Sequence, residues 1–140
     1  MSRVFWDTNL FIYLIEGRGE QGARTAAMAQ RMAERGDQLY TSTLTLGEVL
    51  VKPIENRNMK LRDAYEELLS SHSILIPFDK DAARVYAEVR RDRTIRPPDA
   101  IQLSCAATAR VDLFVTNDDR LSRKTVSGVQ FVTSLERVFI

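Results

Sequence analysis

The sequence predicts an α/β fold: a parallel sheet of about five strands covered on both faces by helices. Two observations carry that expectation. Short apolar runs of strand length alternate with longer stretches of helical period from residue 3 to residue 132. No repeat, low-complexity tract or linker interrupts the alternation, so residues 1–140 read as a single domain. Strands that alternate with helices pair in parallel and are joined by right-handed crossovers.

The elements follow in order. Residues 3–6 make a buried strand, and residues 8–16 a helix apolar on every side, expected deep in the core and stopped by Gly17. Ala23, Ala26, Ala27, Met28, Ala29, Met32 and Ala33 mark a helix over residues 20–35, ended by Gly36. Residues 38–42 form a strand. Thr43 or Thr45 then caps a helix through Glu48 to about residue 51, which Pro53 ends. Leu61, Ala64, Tyr65, Leu68 and Leu69 follow the spacing of one apolar helix face. Residues 74–78 are a strand, and residues 80–93 a helix burying Ala82, Val85, Tyr86 and Val89. Pro97 and Pro98 open another helix in its first turn. Residues 113–116 are a strand, 118–123 a short helix and 129–132 a last strand.

Composition narrows the class. With 44% hydrophobic and 28% charged residues the chain has the make-up of an ordinary globular domain. The net charge of +1, from 20 basic and 19 acidic residues, names no partner, but leaves room for acids gathered in one cleft with bases around it. The single cysteine, Cys105, cannot form an internal disulfide, and no Cys/His spacing suits structural zinc. A reducing compartment fits. The apolar run after Arg3 is broken by Asp7 and Asn9, which argues against a secretory signal, and no stretch approaches membrane-spanning length. The expectation is a cytoplasmic protein without a membrane partner.

In open parallel sheets, ligands bind outside the carboxyl ends of the strands. That rule sorts the acids. Asp7 leaves the end of the first strand and Asp118 the end of strand 113–116. Glu48 lies early in the helix that follows strand 38–42, on the same edge. The helix opened by Pro97 and Pro98 runs toward the start of strand 113–116, so its N-terminus, with Asp99, returns to the binding edge. Four acids from distant segments thus share one rim, accompanied by Thr8, Asn9, Thr116 and Asn117.

Carboxylates within about 6 Å of each other repel by roughly 3 kcal/mol per pair at an effective dielectric near 20. Several such pairs threaten a fold stable by only about 5–15 kcal/mol. A cation answers that problem. All-oxygen donors without a nearby histidine favour Mg²⁺ or Mn²⁺ over Zn²⁺, and such a site suits phosphoryl chemistry. Metal-free RNA cleavage commonly uses two histidines, and the chain has one, His72.

Each acid also has a local role open to it. Asp7 could cap the helix after it, Glu48 could close a capping box with Thr45, and Asp99 could be a first-turn acid beside Pro98. Of the doubled Asp118 and Asp119, the first is assigned to metal and the second to an auxiliary or capping role. The basic runs Arg90, Arg91, Arg93, Arg96 and Arg120, Arg123, Lys124 could hold a phosphate backbone or form solvated faces. Cys105 and Trp6 read as core.

Four segments, taken in order, resemble the motifs of PIN-domain nucleases, and among these the small VapC-type toxins of toxin-antitoxin systems. They are Phe5-Trp6-Asp7-Thr8-Asn9, residues 41–48 ending in Glu48, Pro98-Asp99-Ala100-Ile101-Gln102-Leu103, and Phe114-Val115-Thr116-Asn117-Asp118. The resemblance implies a three-layer α/β/α fold, divalent-metal-dependent endoribonuclease activity, frequent homodimers, and inhibition by a cognate antitoxin covering the acidic groove. Carried over by position, it implies Asp7, Glu48, Asp99 and Asp118 as catalytic, metal-binding acids, with Thr116 and Asn9 in support. Two other enzyme and signalling classes fit less well. A phosphoaspartyl enzyme of the haloacid dehalogenase kind resembles Asp-x-Asp-x-Thr, where this chain has Asn9, and a receiver domain needs an acidic pair before its first helix. A PIN scaffold without metal would lack the acids this chain retains.

Overall fold

The computed structural model describes residues 1–17 and 19–140. Strands β1 (Arg3–Trp6), β2 (Gln38–Ser42), β3 (Ile74–Ile76), β4 (Leu113–Thr116) and β5 (Phe131–Ser134) form one sheet in the order β3-β2-β1-β4-β5. Every pairing is parallel. Helices α1 (Thr8–Glu16) and α2 (Gly19–Arg35) connect β1 to β2, and α3 (Thr43–Glu55) and α4 (Met59–His72) connect β2 to β3. Helices α5 (Lys80–Val89) and α6 (Pro97–Thr108) lead into β4, and a 3₁₀ turn, Leu121–Arg123, precedes β5.

Period-two alternation along the strands divides the core into two layers. Val4, Trp6 and Val115 pack with Leu10, Phe11, Met28, Val49, Tyr65 and Leu69, so α1 to α4 cover one face. Phe5, Tyr40 and Phe114 pack with Ala82, Ala100 and Leu103 of α5 and α6 on the other. Phe5 and Phe114 stack across neighbouring strands with centroids 5.1 Å apart. Because β1 is central and covered on both faces, its run Val4-Phe5-Trp6 is apolar without interruption. The three-layer α/β/α architecture is the one expected.

Two glycines are required where α1 meets α2. Gly17 ends α1 in the left-handed region, φ 61°, and its N–H bonds to the Tyr13 carbonyl. A Cβ on Gly22 would stand 2.7 Å from the Gly17 carbonyl carbon, so the close approach of the two helices excludes any side chain there.

Several local expectations are corrected. Pro53 lies inside α3 rather than ending it. In the last turn its missing N–H forfeits one bond only, and Asn56 and Asn58 satisfy the carbonyls of Lys52 and Pro53 beyond it. The cap of α3 is Ser42, not Thr43 or Thr45, and its hydroxyl accepts from the Thr45 N–H. Helix α1 buries only Leu10 and Phe11 completely. On α2 the buried positions are Gly22, Thr25, Met28 and Met32, while Ala23, Ala26, Ala27 and Ala33 face out. Helix α5 stops at Val89 because residues 90–95 tighten into turns, with Asp92 accepting from the Thr94 N–H. Strand β5 pairs from Phe131, two positions later than its apolar onset at Val129. Cys105 is a core residue, and burial pushes its thiol up to about 11, which keeps it protonated.

Candidate active site

The strand order reverses at β1, whose neighbours are β2 on one side and β4 on the other. At such a switch point the loops diverge and leave a crevice at the carboxyl ends of the strands. A cleft of about 410 Å³ lies there, lined by Asp7, Glu48, Asp99 and Asp118, with Thr8, Asn9 and Asn117 beside them. Four remote segments therefore deliver their acids to one place.

Asp7 follows β1 directly and caps α1. One carboxylate oxygen accepts from the Thr8 N–H at 2.8 Å, and the other from the Thr116 hydroxyl at 2.9 Å. The buried Thr116 oxygen also accepts the Asp118 N–H at 3.1 Å, so one hydroxyl ties the two strand-end acids together. Burial pushes the Asp7 carboxyl up to about 6; the two hydrogen bonds work against that rise, and the charges of Asp99 and Glu48 add to it. Asp99, in the first turn of α6, is also raised above the ordinary carboxylate range, chiefly by burial, with Asp118 and Glu48 contributing and Arg96 opposing.

Glu48 is exposed and accepts a 2.7 Å hydrogen bond from the Thr8 hydroxyl. No capping box with Thr45 forms, because the Thr45 N–H bonds to Ser42. Behind Glu48 lies a polar network that the motif reading did not assign. Gln102 accepts from the Ser42 hydroxyl at 2.5 Å and donates to the hydroxyls of Thr45 at 2.8 Å and Thr8 at 3.1 Å. Since the Thr8 proton goes to Glu48, the 3.1 Å contact between Thr45 and Thr8 has Thr45 as donor. The chain of donors thus ends on the Glu48 carboxylate. The signal for Gln102 was available in principle: a polar residue one turn after Asp99 on a helix otherwise burying apolar and small side chains.

The remaining predicted residues divide. Asn9 is exposed at the cleft, and Asn117 donates to the Tyr13 hydroxyl at 2.7 Å, bracing the β4 end against α1. Asp118 faces the cleft while its other oxygen accepts from the N–H groups of Arg120 and Leu121, capping the 3₁₀ turn. Asp119 does not line the cleft; it is exposed, 4.0 Å from the Arg137 guanidinium. Arg96 joins the site as its cation, 3.9 Å from Asp99 and 3.8 Å from Asp118.

The donor set fits a hard divalent ion. Its acids offer only oxygen, neighbouring carboxylates raise the proton affinity of Asp7 and Asp99, and among the described residues the only positive side chain lining the cleft, Arg96, is two-thirds exposed. Among the described residues no three acids, histidines or cysteines are grouped tightly enough to grip an ion directly. The mode left open is that of an ion such as Mg²⁺, which is held by one or two carboxylates and retains several waters.

The comparisons with known proteins agree with this architecture. No curated protein is detectably similar in sequence. Among solved structures, the fold is shared with VapBC2 from Rickettsia felis bound to a DNA fragment from their promoter, at TM-score 0.75 and 16% identity, over 94% of this chain and 98% of that one. It is shared too with a toxin-antitoxin complex from Klebsiella pneumoniae, at TM-score 0.65 and 22% identity, over 90% and 94%. A third is VapBC-5, of the VapBC family of toxin-antitoxin systems, from Mycobacterium tuberculosis, at TM-score 0.64 and 19% identity, over 95% and 99%. The PIN domain model matches residues 4–126, a span that takes in all four acids of the cleft, and the chain belongs to the PIN domain family.

Proposed function

We propose that the chain is a divalent-metal-dependent endoribonuclease and the toxin component of a toxin-antitoxin system. The observation that carries the reading is the meeting of Asp7, Glu48, Asp99 and Asp118 in one cleft at the switch point of the sheet. Held through one or two of these carboxylates and water, a divalent ion would supply charge stabilisation for phosphoryl transfer and would activate a water nucleophile. The protein's own part is to hold the carboxylates in place. Thr116 orients Asp7 and the backbone leading to Asp118, and the Gln102 network orients Glu48 through Thr8. Asp99 is presented by the first turn of α6. His72 ends α4 and lines no part of the cleft, so no imidazole serves as acid or base there.

RNA as substrate, a cognate antitoxin as inhibitor, a homodimer and a cytoplasmic location complete the reading. It is supported by PIN family membership and by the toxin-antitoxin assemblies that share the fold. No helix among the described residues is long and apolar enough to cross a membrane. The test is direct. Purified protein with Mg²⁺ or Mn²⁺ cuts RNA, EDTA stops it, and Asp7→Asn abolishes it with the fold retained; wild-type cutting by Asp7→Asn overturns the site assignment.

A further inference from the structure

A second groove, of about 360 Å³, opens from the acidic cleft and shares Arg96, Asp99 and Asp118 with it. Its other charged walls are basic. Arg120, Arg123 and Lys124 line it over the buried side chains of Ile95 and Leu121. The local geometry groups these charges: Arg120 precedes the 3₁₀ turn and Arg123 ends it, at i and i+3, positions that eclipse in a helix of three residues per turn. Lys124 is held by Asp92 at 2.9 Å and Thr94 at 2.7 Å, which fixes that wall.

Three arginines and a lysine, Arg96, Arg120, Arg123 and Lys124, lie together in this groove beside the acidic cleft. Some arginines outside the groove close onto neighbouring carboxylates, as in Arg24 with Glu20 at 2.8 Å, Arg62 with Asp63 at 2.9 Å and Arg84 with Asp81 at 3.1 Å. Among the described residues Arg120 and Arg123 have no carboxylate within ion-pair distance, and Arg96 reaches its two only at the long end of that range. Cations collected without internal partners repel one another, and an anion drawn in from solution relieves the repulsion.

We propose that this groove is the track for the RNA backbone on one side of the cleaved phosphate, with Arg120 and Arg123 as phosphate-binding residues and Arg96 at the junction with the acidic cleft. This rests on the nuclease reading and extends it. A strand with one phosphate among the acids must carry its next phosphates out of the cleft, and the groove continuous with the cleft offers them unpaired guanidinium groups. Guanidinium matches phosphate oxygens in a bidentate geometry and stays charged throughout the working pH range.

The experiment measures binding and not turnover. A fluorescent single-stranded RNA oligonucleotide of mixed sequence is titrated with full-length Asp7→Asn protein in EDTA over a series of KCl concentrations. Adding Arg120→Ala and Arg123→Ala lowers the slope of log K against log salt by about 1.4, two phosphate contacts at roughly 0.7 each, and weakens binding about tenfold or more at low salt. Arg62→Ala with Arg84→Ala, a pair that lines neither the cleft nor the groove, leaves the slope unchanged. An unchanged slope in the groove variant overturns the proposal, as does an equal fall in the control pair. Equal binding of a polyglutamate peptide, lost in the same groove variant, overturns it in favour of an acidic protein partner. Wild-type protein that cuts RNA with Mn²⁺ while the groove slope stays unchanged defeats the track alone. Failure to cut, with the slope change intact, defeats the nuclease reading alone.

Discussion

Gln102 donates to Thr8 across 94 positions of sequence, at 3.1 Å, and the Thr8 hydroxyl in turn donates to Glu48. Helices α1, α3 and α6 therefore meet through one buried amide whose partners are all hydroxyls. A buried network of this kind is stable only when every member is satisfied.

Gln102→Leu fills a similar volume but removes the acceptor of the Ser42 hydroxyl and a donor to those of Thr45 and Thr8. We expect a loss of about 1–3 kcal/mol in urea unfolding. Weaker Mn²⁺ binding by calorimetry accompanies it, because Glu48 loses the brace behind Thr8. A variant with wild-type stability and wild-type Mn²⁺ affinity would show the network to be incidental.

Asp7 gives a pH-dependent prediction. Its folded carboxyl lies at about 6 against an ordinary 3.8, so the folded chain binds the proton more tightly than the unfolded one. The stability this contributes is full below pH 3.8 and is lost as pH rises through about 6, a swing of up to about 3 kcal/mol. In EDTA, Asp7→Asn should therefore be more stable than wild type at pH 7 by about 1–3 kcal/mol, with the gain vanishing near pH 4. Unfolding curves at the two pH values check this. Mn²⁺ should raise the wild-type melting temperature at pH 7 and do far less for Asp7→Asn.

The doubled acids separate by substitution. Asp118→Ala removes a cleft carboxylate and the cap of the 3₁₀ turn, so it should abolish RNA cleavage and cost about 0.5–2 kcal/mol. Asp119→Ala touches an exposed group near Arg137 and should leave the cleavage rate within about twofold. Equal losses in the two variants, measured on one RNA substrate, would contradict the placement of Asp118 in the cleft.

Much of this architecture was legible in the order of apolar runs and turn residues. Val4-Phe5-Trp6 reads as a strand covered on both faces, and Pro97-Pro98 as a helix start, because backbone constraints and burial act locally. Pro53 misled, since the cost of a proline depends on whether the turns beyond it find other donors, which Asn56 and Asn58 supply. Thr45 misled for a similar reason: Ser42, three residues earlier, had already taken its N–H.

The sequence by itself determined that Asp7, Glu48, Asp99 and Asp118 share a rim, because a parallel sheet sends every strand's carboxyl end to one edge and its helices return to that edge. Only the tertiary structure decided which of Asp118 and Asp119 turns inward, that Gln102 stands behind Glu48, and that Arg120 and Arg123 face a groove without carboxylate partners. Those outcomes depend on side-chain direction across contacts between remote segments, where a rotation about one bond moves a charged group from cleft to solvent and leaves the pattern of letters unchanged.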